Sequence, residues 1–344
     1  MAFDLTINGG PWREHLGRVR DERAGLVPVI KGNGYGLGRQ RTAGEAFRLG
    51  VDQVAVGTYE EAAEVLGAFT GDVQVLTPWR PFSPRIADRR LIHTVSRVED
   101  VPELALQVPG ARVIVEAETS MRRHGIHRDE FAAAAAALEL TGLQAEGFAI
   151  HLPMAGANLA EAEQLVAVLE ASALTTTTVF VSHLTVPELA RLREQRPALT
   201  IRPRVGTALW LGALEAFSVR STVLDVHRVD RGDRVGYRQG RVPRAGHVIV
   251  VAGGTSHGIG LEAPRAVAGL SGRGKAVAKG GLAAAGQALS PFTVDGKQRW
   301  FVEPPHMQAS MILLPDGARV PLVGDAVPAQ VRYTIATFDS ITEY

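Results

Sequence analysis

Val27-Pro-Val-Ile-Lys-Gly-Asn-Gly-Tyr-Gly-Leu-Gly38 is a short apolar run that stops at a lysine, after which four glycines fall within eight residues. An apolar run bounded by glycine reads as a buried strand. Lys31 therefore sits where that strand leaves the core, held rigidly and partly desolvated. Desolvation favours the neutral amine, the form that attacks a carbonyl. A Schiff-base lysine needs that form. The glycines let the backbone approach a ligand that side chains would hold off.

Outward from this stretch, residues 26–212 alternate apolar runs with amphipathic stretches. The runs are residues 27–30, 53–56, 73–76, 92–95, 112–116, 147–152, 179–181 and 199–202. Helical patterns at 58–66, 98–107, 129–140, 159–173 and 186–194 lie between most of them. Eight strands separated largely by helices predict a parallel (β/α)8 TIM-like barrel. Pro78, Pro81 and Pro84 make the third connection a loop. After residue 220 the texture becomes strand and turn, with strands expected at 222–226, 247–251, 299–303, 311–314 and 330–335. The Gly-, Ala- and Lys-rich segment 270–289 reads as a mobile loop or a poor helix. The expected organisation is a barrel over residues 9–220, a mainly β C-terminal domain over 221–344, and an added strand from residues 1–8.

The 344 residues are enough for two domains. With 37 basic and 36 acidic residues, nothing in the charge balance calls for nucleic acid or an anionic membrane as a partner. The absence of cysteine excludes disulfides and thiolate metal sites. No signal peptide or membrane-spanning run is read, and a cytoplasmic location is expected.

Lys31-Gly-Asn-Gly-Tyr-Gly-Leu-Gly38 resembles the cofactor-lysine motif of the alanine racemase family, which reads roughly Lys-Ala-Asn-Ala-Tyr-Gly-His-Gly. Members of that family are barrel enzymes that use pyridoxal phosphate (PLP). The resemblance implies a barrel followed by a β domain, PLP bound at Lys31 and Tyr35, and an N-terminal strand, here residues 2–8, joining the β domain. Glu116-Ala-Glu-Thr-Ser-Met-Arg-Arg-His-Gly125 resembles the family's Lys-x-Asp-Thr-Gly-Met-x-Arg-x-Gly. Arg123 then takes the place of the arginine near the substrate carboxylate, a task suited to a forked, permanently charged guanidinium. Glu116 falls where the family often carries a carbamylated lysine, also an anion, and is expected to orient Arg123. Gly147-Phe-Ala-Ile-His-Leu152 resembles the strand whose histidine stacks on the pyridine ring, here His151. Ser182, in Val181-Ser-His-Leu184, resembles a phosphate-binding serine.

Arg202-Pro-Arg-Val-Gly-Thr-Ala-Leu-Trp210 resembles the family's Arg-Pro-Gly-Ile-Ala-Leu-Tyr-Gly in two registers. Aligning Arg-Pro selects Arg202; aligning Gly-x-Ala-Leu selects Arg204. The second is preferred, because Gly206 and Thr207 then offer N–H groups to phosphate. An arginine beside the pyridine nitrogen cannot accept its proton, which limits side reactions such as transamination. Racemisation needs proton transfer at both faces of Cα, and the resemblance assigns it to Lys31 and to Tyr237 in Arg234-Val-Gly-Tyr-Arg238. His151 and Arg204 would tune that tyrosine. Met307, in Glu303-Pro-Pro-His-Met-Gln308, would bind the substrate carboxylate, with Gln308 in the place of an aspartate. Tyr237 and Met307 come from the other subunit in the family, which implies a homodimer with shared active sites.

The family's Gly-Tyr-Ala-Asp-Gly corresponds to Gly253-Gly-Thr-Ser-His-Gly-Ile-Gly260, without a tyrosine, and Phe338 stands nearest to a C-terminal phosphate-contacting tyrosine. The expected function is thus a divergent amino-acid racemase, alanine racemase-like, with no metal. The alternatives are a PLP lyase acting on D-amino acids, for which His306-Met-Gln308 is a poor metal motif, and a non-catalytic PLP-binding protein.

Overall fold

The computed structural model describes residues 2–174, 176–261 and 288–344, so residues 270–287 of the expected loop lie outside them. The chain divides into two compact units, residues 13–213 and residues 1–12 with 214–344. Strand β1 (Phe3–Ile7) belongs to the second of these, and helix α1 (Gly9–Glu22) runs through the boundary.

In the 13–213 unit the strands are β2 (Val27–Ile30), β3 (Gln53–Val56), β4 (Asp72–Val75), β5 (Leu91–Val95), β6 (Arg112–Ala117), β7 (Gln144–His151), β8 (Thr178–Ser182) and β9 (Thr200–Val205). Each pairs in parallel with the next, and β2 pairs with β9 to close the barrel. This is the expected fold class. The connecting helices are α2 (Arg39–Arg48), α3 (Tyr59–Leu66), α4 (Asp100–Gln107), α5 (Phe131–Thr141), α6 (Asn158–Ala171) and α7 (Val186–Gln195), with the short α8 (Thr207–Trp210) after β9. Strands buried on both faces read as continuous apolar runs. Val27, Val29, Ala55, Ile92, Ile114, Ala149 and Phe180 accordingly form one core cluster. No helix links β4 to β5. Arg90 ties that loop down instead, donating to the carbonyls of Phe69 (2.6 Å) and Leu66 (3.0 Å) while paired with Asp88.

The other unit adds β10 (Phe217–Val229), β11 (Arg234–Val235), β12 (Gly240–Arg241), β13 (Gly246–Ala252), β14 (Leu289–Val294), β15 (Lys297–Phe301), β16 (Ala309–Pro315), β17 (Ala326–Pro328) and β18 (Ser340–Glu343). Its main sheet runs β14-β15-β16-β13-β10-β1-β18, with β17 on β10. The β11–β12 pair is a separate hairpin. The strand expected at 330–335 is not one. Ile335 and Ala336 donate back to the Arg332 carbonyl, so the backbone closes on itself as a turn. Among the described residues no helix is long and apolar enough to cross a membrane.

Candidate active site

Five of the sequence-selected residues lie at the C-terminal ends of barrel strands. Lys31 follows β2, Glu116 is penultimate in β6, His151 ends β7, Ser182 ends β8 and Arg204 is penultimate in β9. Parallel strands in one closed barrel bring these ends to a single rim, where barrel enzymes build their sites. A cavity of about 650 Å³ is lined by Lys31, Arg123, His151, His183, Arg204, Gly206 and Thr207, among others.

The loop after β2 is wound through the left-handed region at Gly32, Gly34, Tyr35, Gly36 and Gly38. The side-chain carbonyl of Asn33 accepts the Gly36 N–H at 3.0 Å. Tyr35 takes positive φ without being glycine and is buried. Its hydroxyl lies so close to Gly206 that an added Cβ there would overlap it. The lysine loop and the end of β9 are therefore fitted against each other, and the phenol is aimed at the first turn of α8. Burial, and then the charge of Glu61, push the Tyr35 phenol up from its usual value, so it remains a hydrogen-bond donor.

Lys31 is held below the ordinary lysine range, chiefly by burial, then by Arg123 and Arg204, with Glu61 opposing. The neutral amine is thereby made accessible. Glu61 escaped the sequence reading. One of its oxygens accepts the Gly32 N–H and the other the Gly57 N–H, each at 2.7 Å, so one carboxylate joins the loops after β2 and β3 behind Lys31. The spacing Thr58-x-x-Glu61 is a helix N-terminus signature, and the Thr58 side chain does accept the Glu61 N–H. That signature alone predicts a cap, not the tertiary bonds.

Arg204 is fully buried. Its Nε donates to the Ser182 hydroxyl at 3.3 Å and its Nη2 to the Ile150 carbonyl at 3.5 Å. Burial draws its guanidinium down to about 10, with Glu116 opposing. Glu116 is also buried, and burial pushes its carboxyl up against the charges of Arg204, Arg123 and Arg80, in that order. Its Oε2 has no hydrogen-bond partner, and no Glu116–Arg123 hydrogen bond occurs among the described residues. The cation acting most on Glu116 is thus Arg204 rather than Arg123. Arg123 itself is solvent-exposed on the loop after β6, which is closed by the Ala117–Ile126 bridge.

His151 is driven down to about 2 by burial, then by Arg204, Arg123, His183 and Lys31, so it is a neutral imidazole. His183, also held low by burial and then Lys31, stands edge-on to it at 5.4 Å between ring centroids. The alternative arginine, Arg202, points elsewhere: it donates to the Gly25 carbonyl and the Gln53 side chain, and pairs with Asp52. The cavity therefore presents Lys31, Arg123 and Arg204 with neutral histidines between them, a lining that suits an anionic ligand.

In the other unit, Tyr237 lies on the turn joining β11 and β12 with 86% of its surface exposed. Its ring is 4.6 Å from that of His306. Met307 is also exposed, and its carbonyl accepts from Ser256. Among the described residues no group of three or more His, Asp or Glu side chains is arranged to hold a metal.

Comparison with known proteins agrees with this fold. The family model for the alanine racemase N-terminal domain matches residues 12–213. A curated alanine racemase from Dinoroseobacter shibae is 26% identical over 144 residues, which is 39% of this chain and 39% of that protein's length. Alanine racemase from Bartonella henselae, solved with covalently bound pyridoxal phosphate, superimposes over 100% of both chains with TM-score 0.71 and 16% identity. Alanine racemase from Bacillus anthracis, solved with bound L-Ala-P, superimposes over 97% of this chain and 91% of that one with TM-score 0.72 and 19% identity. At these identities the structural matches establish likeness of fold.

Proposed function

The chain belongs to the alanine racemase family, and from that premise we propose that it is a pyridoxal phosphate-dependent amino-acid racemase acting on alanine or a related small amino acid. The observation that carries the proposal is the placement of Lys31. It is the one lysine of the barrel unit, it follows a buried strand, and burial holds its amine below the ordinary lysine range in a cavity shared with Arg123 and Arg204. The residues fit the cofactor on this chain's own geometry. A cationic cavity accepts a phosphate and a carboxylate, and the Tyr35 hydroxyl packed against the bare backbone at Gly206 sets a hydrogen-bond donor beside α8.

In this reading Lys31 would hold the cofactor covalently, Tyr35, Ser182, Gly206 and Thr207 would hold its phosphate, and His151 and Arg204 would hold its ring. Bound there, the cofactor supplies an electron-withdrawing ring that makes the substrate's α-hydrogen acidic. Arg204 keeps its own proton and gives none to the ring, since a buried guanidinium still titrates well above neutrality. Arg123, together with Met307 of a second copy of the chain, would position the substrate carboxylate. Glu116 is the buried acid on which Arg204 acts first and Arg123 second. Lys31 Nζ moves a proton at one face of Cα. Tyr237 Oη, contributed by a second copy of the chain in a homodimer, moves one at the other.

The test is incubation of the holoenzyme with single L-amino acids in D₂O, with chiral chromatography for D-product and mass spectrometry for α-deuterium. D-product carrying α-deuterium is expected from alanine or a close analogue. A holoenzyme that forms no D-product and exchanges no α-hydrogen on any amino acid overturns the proposal.

A further inference from the structure

Tyr237 raises a physical problem. Its side chain is almost wholly exposed on a two-residue-strand hairpin, yet a proton-transfer group must be held within a few tenths of an ångström of its working position. The solution lies on the neighbouring loop. Glu303 is buried although it is a carboxylate. Its Oε1 accepts the Tyr237 N–H at 3.1 Å and its Oε2 the Arg238 N–H at 3.3 Å. The same carboxylate bonds the His306 Nε2 at 2.7 Å, and the His306 ring lies against the Tyr237 ring at 4.6 Å and 48°. One anion thus fixes the peptide on either side of the Tyr237 Cα and, through His306, one wall of its ring. Gly236 permits this grip. It sits at φ +72°, and a Cβ there would run into the Glu303 carboxylate. Burial would raise Glu303, but His306 and the two N–H groups outweigh it, so the carboxyl lies below its usual range and is anionic at neutral pH.

We propose that Glu303 and His306 form a positioning dyad for Tyr237: Glu303 clamps the turn and holds His306 as a stop for the phenol ring. The inference rests on the racemase reading given above. Neither side chain touches the reacting atoms. Each acts through the tyrosine, and three charge-assisted bonds to one carboxylate are the means.

Two measurements test it. The first is hydrogen-exchange mass spectrometry on the protein without cofactor, for Glu303→Gln against the parent. Faster exchange by about tenfold is expected at the 236–239 turn, because an amide side chain offers one acceptor where the carboxylate offers two. Exchange in the main sheet stays unchanged. The second measures α-deuterium uptake in the holoenzyme separately from L- and D-substrate. The parent exchanges both. Glu303→Gln and His306→Ala should each lose about tenfold or more on one enantiomer, the same one that Tyr237→Phe affects, with the other changed less than about twofold. The Glu303→Gln/Tyr237→Phe pair should lose no more than Tyr237→Phe alone. Equal losses on both enantiomers, an additive double variant, or an unaltered exchange rate at the turn would overturn the dyad. A parent holoenzyme inactive on both enantiomers, with the turn still loosened by Glu303→Gln, would sink the racemase reading while leaving the clamp standing.

Discussion

Gly206→Ala is the sharpest test of how the site is assembled. The backbone at Gly206 has a negative φ, −112°. The cost that Tyr35 decides is contact. The new Cβ overlaps the Tyr35 hydroxyl oxygen and lies 2.8 Å from Cζ. Tyr35 is buried, in a loop pinned by Glu61 and Asn33 through the N–H groups of Gly32 and Gly36, and cannot swing into solvent. Overpacking of this kind costs about 1–3 kcal/mol. For a unit of this size that is a loss of about 2–12 °C in melting temperature. Tyr35→Phe removes the overlapping oxygen and leaves only the Cζ contact, relieved by a shift of some tenths of an ångström. In that background Gly206→Ala should cost less, by a coupling of about 1–2 kcal/mol. Gly44→Ala is the control. It lies inside α2 with nothing within 4 Å of an added Cβ, and should stabilise by about 0.5–1 kcal/mol through helix propensity. Thermal and urea unfolding of the five proteins decide the matter. Equal losses from Gly206→Ala in the parent and in the Tyr35→Phe background, or no loss at all, would refute the fit between the lysine loop and β9.

Three further outcomes follow from the same contacts. His93 is buried, bonded to the Tyr59 hydroxyl at 2.8 Å and drawn down to about 4 by burial, and His151 is drawn down to about 2. Both therefore stay neutral in the fold at pH values where the unfolded chain takes up protons, so their contribution is intact above about pH 6.5 and is lost as pH falls, by about 2 kcal/mol each at pH 5. Urea midpoints at pH 7 and 5 should show that loss, and His93→Asn should roughly halve it. Trp210 Nε1 donates to the Val29 carbonyl at 2.7 Å. Trp210→Phe removes that bond to the carbonyl two residues before Lys31 and should cost about 0.5–1.5 kcal/mol, read as a lower urea midpoint. Arg204→Glu puts a proton-accepting carboxylate where a permanent cation stood. Transamination of the cofactor should rise relative to racemisation, measured as keto-acid formed per D-product; an unchanged ratio would count against the role given to Arg204.

The barrel was legible because its strands are buried on both faces. Val27–Ile30 and Gln53–Val56 carry no solvent-facing residue to interrupt the apolar run. The ends of such runs also mark the rim, which is how Lys31, His151 and Ser182 stand out before any coordinates. The β unit was harder. Only the middle of β10 was read, since Phe217–Val229 is half exposed and draws its definition from partners on both sides. Residues 330–335 show alternating exposure like a strand, but alternation does not supply a neighbour to pair with. Glu61 and Glu303 were missed in the functional assignment for one reason. A carboxylate that gathers backbone N–H groups from other loops has no local signature, and looks from the sequence like any surface acid.

The chain's lysines are Lys31, Lys275, Lys279 and Lys297, so the covalent anchor can be found directly. Borohydride reduction of the protein with pyridoxal phosphate, followed by peptide mapping, should place a single stable adduct on the peptide carrying Lys31. An adduct confined to another lysine, or no adduct at saturating cofactor, would contradict the account at its root.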